Sequence, residues 1–134
     1  MLHKKLTSAF AAAVMVAFLL VSCNTSTSKN SEASSEGTAL TVKGEVLDLS
    51  CYMADGSKGM SHQTCAQGCL DKGLPAGLLS NADGQVYLLV ENHDKADAYQ
   101  EMLKHAAENV EITGTLVTKN GVQSLTVEEI NIEG

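Results

Sequence analysis

The sequence predicts a mainly β, α+β domain, a small five-stranded barrel with two helices, carried behind an N-terminal leader and a polar linker. Three observations carry that prediction. Segments dominated by Val, Leu and Thr recur from residue 40 onward. Asn120-Gly121 lies between two β-rich arms, where it supplies the two positive φ values of a tight hairpin turn. Two stretches, 61–72 and 94–107, carry helical signals instead. The region from residue 39 to 134, about 96 residues, suffices for one domain with one modest core.

Taken in order, "LTVKGEVLDLSCYM", residues 40–53, reads as a long first strand in which Gly44 permits a sharp bend or bulge. The first helix is expected from Ser61 to Lys72, with Ser61 as its N-cap and Gly73 stopping it ahead of Pro75. In "NADGQVYLLVEN" a turn at Asp83-Gly84 feeds a buried strand from Val86 to Val90. The second helix is expected from Asp94 to Ala107, because Ala96, Tyr99, Leu103 and Ala106 form one apolar stripe. Tyr99 and Met102 are assigned to the core or its margin. "NVEITGTLVTKNGVQSLTVEEINIE" closes the domain as a hairpin, with Leu116 inward and Lys119 outward beside the turn. A curved strand, a strand, a helix and a closing hairpin resemble the order of elements in an OB-like barrel. A Cys/His-bearing helical insertion then spans about residues 51–77.

The leader, "MLHKKLTSAFAAAVMVAFLLVSC", joins basic Lys4 and Lys5 to an uncharged apolar run that ends before Ser22-Cys23. That is the pattern of an export signal. A membrane span is the alternative, but the run is at the short end of the roughly 17 to 25 residues a span needs. Its ending, Leu20-Val21-Ser22-Cys23, resembles the lipobox of bacterial lipoproteins. The resemblance implies removal of residues 1–22, lipidation of Cys23, and a protein anchored by that lipid to a bacterial membrane, on the periplasmic or cell-surface side of the cell envelope. Residues 23–38 then form a Ser/Thr-rich disordered tether. Without Lys4 and Lys5, seven lysines and no arginine face 16 acidic residues, a net charge of −9. With three tyrosines besides, this excludes nucleic acid as an expected partner and makes the lipid the means of membrane attachment.

The chemistry concentrates in "SHQTCAQGC", Ser61 to Cys69. At 100° per residue, His62, Cys65 and Cys69 fall within an arc of about 60° on one helix face. Cys51, expected at the end of the first strand, is within reach of that face. Three cysteines remain once Cys23 is lipidated, and three cannot all pair within one chain. Two readings stay open. Cys51, His62, Cys65 and Cys69 form a Cys3His set that suits tetrahedral zinc, while Met53 and Met60 as additional soft ligands would tilt the choice to Cu(I). Alternatively Cys51 pairs with one helix cysteine in a structural disulfide, and the barrel surface binds an envelope protein or a small ligand. A thiol redox role is a third possibility. A Cys65–Cys69 bridge is poor, because Cβ atoms four residues apart on a helix lie about 5 to 6 Å apart.

No catalytic constellation is evident, so the chain is read as a non-enzyme. His62 and Cys65 on one helix face lack the cleft and orienting partner a hydrolase needs. His93 and His105 read as solvated, as do Asp48, Asp71, Glu128 and Glu129. The segments "GEVLDLSCYM", "HQTCAQGC", "GLPAGLL" and "GQVYLLV" are similar to those of small exported bacterial domains carrying a Cys, a His-x2-Cys-Ala-x2-Cys and a Gly-x-Pro in that order. That resemblance covers about residues 42–132. It implies the fold and compartment already inferred, and no activity.

Overall fold

β1 (Thr38–Asp48) is the strand on which the architecture turns. The computed structural model describes residues 37–132. The expected leader, the expected lipid site Cys23 and the expected tether up to residue 36 lie outside the described residues. Up to Glu45, β1 pairs antiparallel with β4 (Asn109–Lys119); from Gly44 to Asp48 it pairs antiparallel with β2 (Ala76–Ser80). One strand serves two neighbours by bending where they hand over, at Gly44. A Cβ there would lie 2.2 Å from the Leu79 carbonyl oxygen, so the close approach requires glycine.

β2 pairs antiparallel with β3 (Val86–Glu91), β3 pairs parallel with β5 (Val122–Ile132), and β5 returns antiparallel along β4. The result is a closed barrel in the order β1-β2-β3-β5-β4, an OB-like mainly β fold. The final hairpin turns at Asn120 (φ 51°) and Gly121 (φ 82°), as the Asn-Gly pair requires. Its register shifts between Thr113 and Gly114, opposite a bulge that leaves Glu128 unpaired on β5. Leu116 packs against the core and Lys119 is exposed.

Inward residues of every strand meet in one core that includes Val46, Leu78, Leu89, Ile112, Leu125 and Val127. Met102 and Ala106 enter from the β3–β4 connection, and Ala66 and Leu70 from the β1–β2 connection. Tyr99 and Leu103 pack at the core's margin.

Several local expectations are corrected. The first strand ends at Asp48, and Leu49–Asp55 is helix α1, so Cys51 lies on a helix and the described residues form three α-helices where two were expected. α1 ends at Gly56, φ 81°, whose N–H donates to the Tyr52 carbonyl. The expected helix from Ser61 is a 3-10 turn, Met60–His62, followed by α2, Gln63–Leu70; Ser61 caps nothing. Its stop holds: the N–H groups of Gly73 and Leu74 donate to the carbonyls of Leu70 and Cys69, closing the helix in the left-handed manner foreseen for Gly73. Ala76–Ser80 forms β2, which begins inside the helical insertion expected to span about residues 51–77. α3 covers Ala96–Met102 and stops short of Ala107, because the Ala107 N–H and the Glu108 carbonyl pair with Val46 of β1. His105 is not solvated: its side chain is 16% exposed and its Nδ1 lies 2.8 Å from a Glu108 carboxylate oxygen.

Candidate metal centre

The β1–β2 connection carries α1, the 3-10 turn and α2, and everything relevant to the site lies on it or at its base. Asp48 begins it. The Asp48 side chain accepts from the backbone N–H groups of Ser50 (2.9 Å) and Cys51 (3.4 Å), which caps α1. The capped helix holds Cys51 one turn above the carboxylate. Residues 57–59 return the chain, and the Gly59 N–H donates to the Glu45 carboxylate of β1. The loop is thereby tied to the barrel wall before α2 begins.

α2 is oriented by what it buries. Ala66 and Leu70, four residues apart, are both 2% exposed and join the core. Cys65 and Cys69, each one residue earlier, are rotated by about 100° from that face. They lie on the flank directed at α1, Cys65 exposed and Cys69 partly buried. Gln67 secures the other flank by donating to the Leu103 carbonyl at 2.9 Å. The thiol sulfurs of Cys51, Cys65 and Cys69 all lie within 4.8 Å of one another, and all three residues are free cysteines.

His62 is placed differently from the helical-wheel expectation. It lies in the tighter 3-10 turn, at φ −101° and ψ −3°, so the wheel that relates Cys65 to Cys69 does not extend back to it. A ring nitrogen of His62 instead joins an Asp48 carboxylate oxygen and the Cys51 sulfur, all within 4.8 Å of one another. The His62 Nε2 atom is buried and has no hydrogen-bond partner. Met53 and Met60 are 74% and 65% exposed, so neither packs into the core.

Asp48 is the residue that sequence reasoning left on the solvated surface; it is 2% exposed. A signal was present, since Asp48 and Gly56 bracket a short run without β-branched residues in the manner of a helix cap and stop. Burial alone would raise its pKa, but hydrogen bonds from the Cys51 thiol, the Ser50 N–H and the Cys69 thiol leave it below the usual carboxylate range. The same contacts act oppositely on the thiols. Hydrogen bonding to Asp48, with desolvation and neighbouring negative charge, pushes Cys51 up to about 12 and raises Cys69. In metal-free protein at pH 8, Cys51 should therefore alkylate very slowly, its rate rising about tenfold per pH unit because the thiolate is the nucleophile. Asp48→Asn should accelerate it at fixed pH. Mass-spectrometric tracking of Cys51 alkylation in both proteins checks this, and equal rates would contradict the hydrogen-bonded arrangement.

A separate shallow groove of about 460 Å³ lies at the other end of β1, lined by residues that include Leu40, Val42, Ser80, Asn81 and Tyr87. It is remote from the cysteines in the fold. The sequence matches no protein-family model and no curated relative.

Proposed function

We propose that the protein binds a thiophilic metal ion through Cys51, Cys65 and Cys69 while anchored to a bacterial cell envelope by a lipid on Cys23. The observation that carries the metal reading is the mutual approach of three free thiol sulfurs to within 4.8 Å. A zinc–thiolate bond of about 2.3 Å places neighbouring sulfurs roughly 3.8 Å apart around a tetrahedral ion. Small side-chain rotations thus convert the cluster into a coordination shell, whereas a disulfide would engage two sulfurs and leave the third beside it. The raised Cys51 and Cys69 pKa values weigh against thiol redox catalysis, which requires a depressed thiol pKa.

A thiol count with metal analysis on protein purified without air or reductant tests this reading. The expected result is one or more tightly held ions per chain, with Cys51, Cys65 and Cys69 all alkylatable after denaturation in chelator. Metal-free protein with one alkylatable thiol among those three would establish the disulfide staple instead and direct attention to the barrel groove. Anchoring is tested separately. Cys23→Ser should move the protein from the membrane to the soluble fraction or leave the precursor unprocessed; processed, membrane-bound Cys23→Ser protein would exclude a lipid at that residue.

A further inference from the structure

We propose a second metal position adjoining the first, in which Asp48, Cys51 and His62 bind a divalent ion of the zinc class and the Cys51 thiolate is shared between the two ions. The inference rests on the three-cysteine metal reading and extends it. Its geometric basis is that the donor atoms of Asp48, Cys51 and His62 lie within 4.8 Å of one another, as do those of Cys51, Cys65 and Cys69. Cys51 belongs to both triads. A thiolate sulfur has lone pairs enough to bridge two ions.

Two features of the second triad call for a cation. The buried His62 Nε2 has no protein partner, and a buried polar atom left unsatisfied is costly unless a ligand completes it. Asp48 uses one lone pair on each oxygen for the helix cap, and its carboxylate otherwise accepts from the thiols of Cys51 and Cys69. When those thiols release their protons to solvent on binding the first ion, the carboxylate loses these donors and faces thiolates. A cation held by Asp48 and His62 restores the balance.

Charge and donor type select the class of ion. Three thiolates and the Asp48 carboxylate carry four negative charges, and His62, the remaining donor of the two triads, binds a metal ion as the neutral imidazole. One divalent ion leaves two of the four uncompensated, and so do two monovalent ions. Two divalent ions neutralise the centre. A mixed oxygen, nitrogen and sulfur set also suits zinc, while Cu(I) prefers thiolate and thioether donors.

The test is anaerobic titration of the full-length, reduced, metal-free chain with Zn(II) against a chromogenic chelator, repeated with Co(II) to read ligand type from its absorption. Wild type should take up two ions per chain. His62→Ala, and Asp48→Asn which keeps a capping side chain at α1, should each weaken the second step by about 100-fold and the first by less than about tenfold, using the range for perturbed metal sites as the scale. Circular dichroism of both variants verifies that the barrel is retained. One ion in wild type overturns the second position and leaves the three-cysteine site standing. No tightly bound ion overturns both. Two ions retained in His62→Ala overturn the assignment of the second ion to this triad.

Discussion

Gly114→Ala should destabilise the barrel by about 3 kcal/mol, the upper part of the range for overpacking a close-packed site. Gly114 is buried on β4 where the β4–β5 register shifts. A Cβ at this position would lie 2.0 Å from the Thr126 carbonyl oxygen and 3.0 Å from its carbonyl carbon. Both are backbone atoms of the paired strand, so no side-chain rotation relieves the collision. The strands must separate or slip, and slippage by one residue would turn inward side chains such as Ile112 or Leu125 to solvent. For a domain of this size the loss corresponds to a melting temperature lower by roughly 12 to 24 °C. Gly68→Ala is the control. Gly68 lies within α2, and a Cβ there meets nothing within 4 Å, so alanine should gain up to about 1 kcal/mol from helix propensity. Thermal melts of the two variants compare them directly, and similar losses would mean that the close approach at Gly114 does not govern barrel closure.

Asp48→Ala should cost about 1 to 2 kcal/mol in the metal-free, reduced protein. That is the range for a lost N-cap, here the acceptor of the Ser50 and Cys51 N–H groups. The partly exposed thiols of Cys51 and Cys69 lose the same acceptor. Asp48→Asn keeps a capping carbonyl oxygen and should cost less than about 1 kcal/mol. Urea unfolding of the three proteins measures the difference. If Asn proves as damaging as Ala, the negative charge and not the cap geometry is what α1 requires. The loss also bears on function, because α1 is the element that brings Cys51 to the flank of α2.

Much of the barrel was legible locally. Asn120 and Gly121 adopt the positive φ values that only such a pair accepts readily, Gly73 stops α2, and Gly44 marks the bend of β1. Each depends on the conformational freedom of one or two residues, which is a property of the sequence itself. The same locality placed Cys65 and Cys69 on one helix flank. The α1 segment was misread because Leu49 and Tyr52 also suit a strand, and its cap depends on a carboxylate that had no visible reason to be buried.

By itself, then, the sequence determined the mainly β class, the closing hairpin, the net acidity and the concentration of thiols between residues 51 and 69. Tertiary structure decided where those thiols point. Burial of Ala66 and Leu70 in the barrel core sets the rotation of α2, and pairing of β1 with β2 brings Asp48 beside Ala76, across the base of the connection. α1 can then stand against α2, with Asp48 beneath the cysteines and His62 on the Asp48 side. Such relations arise from contacts between residues distant in the chain, whose closing entropy is repaid only when the whole core forms. No local pattern records them.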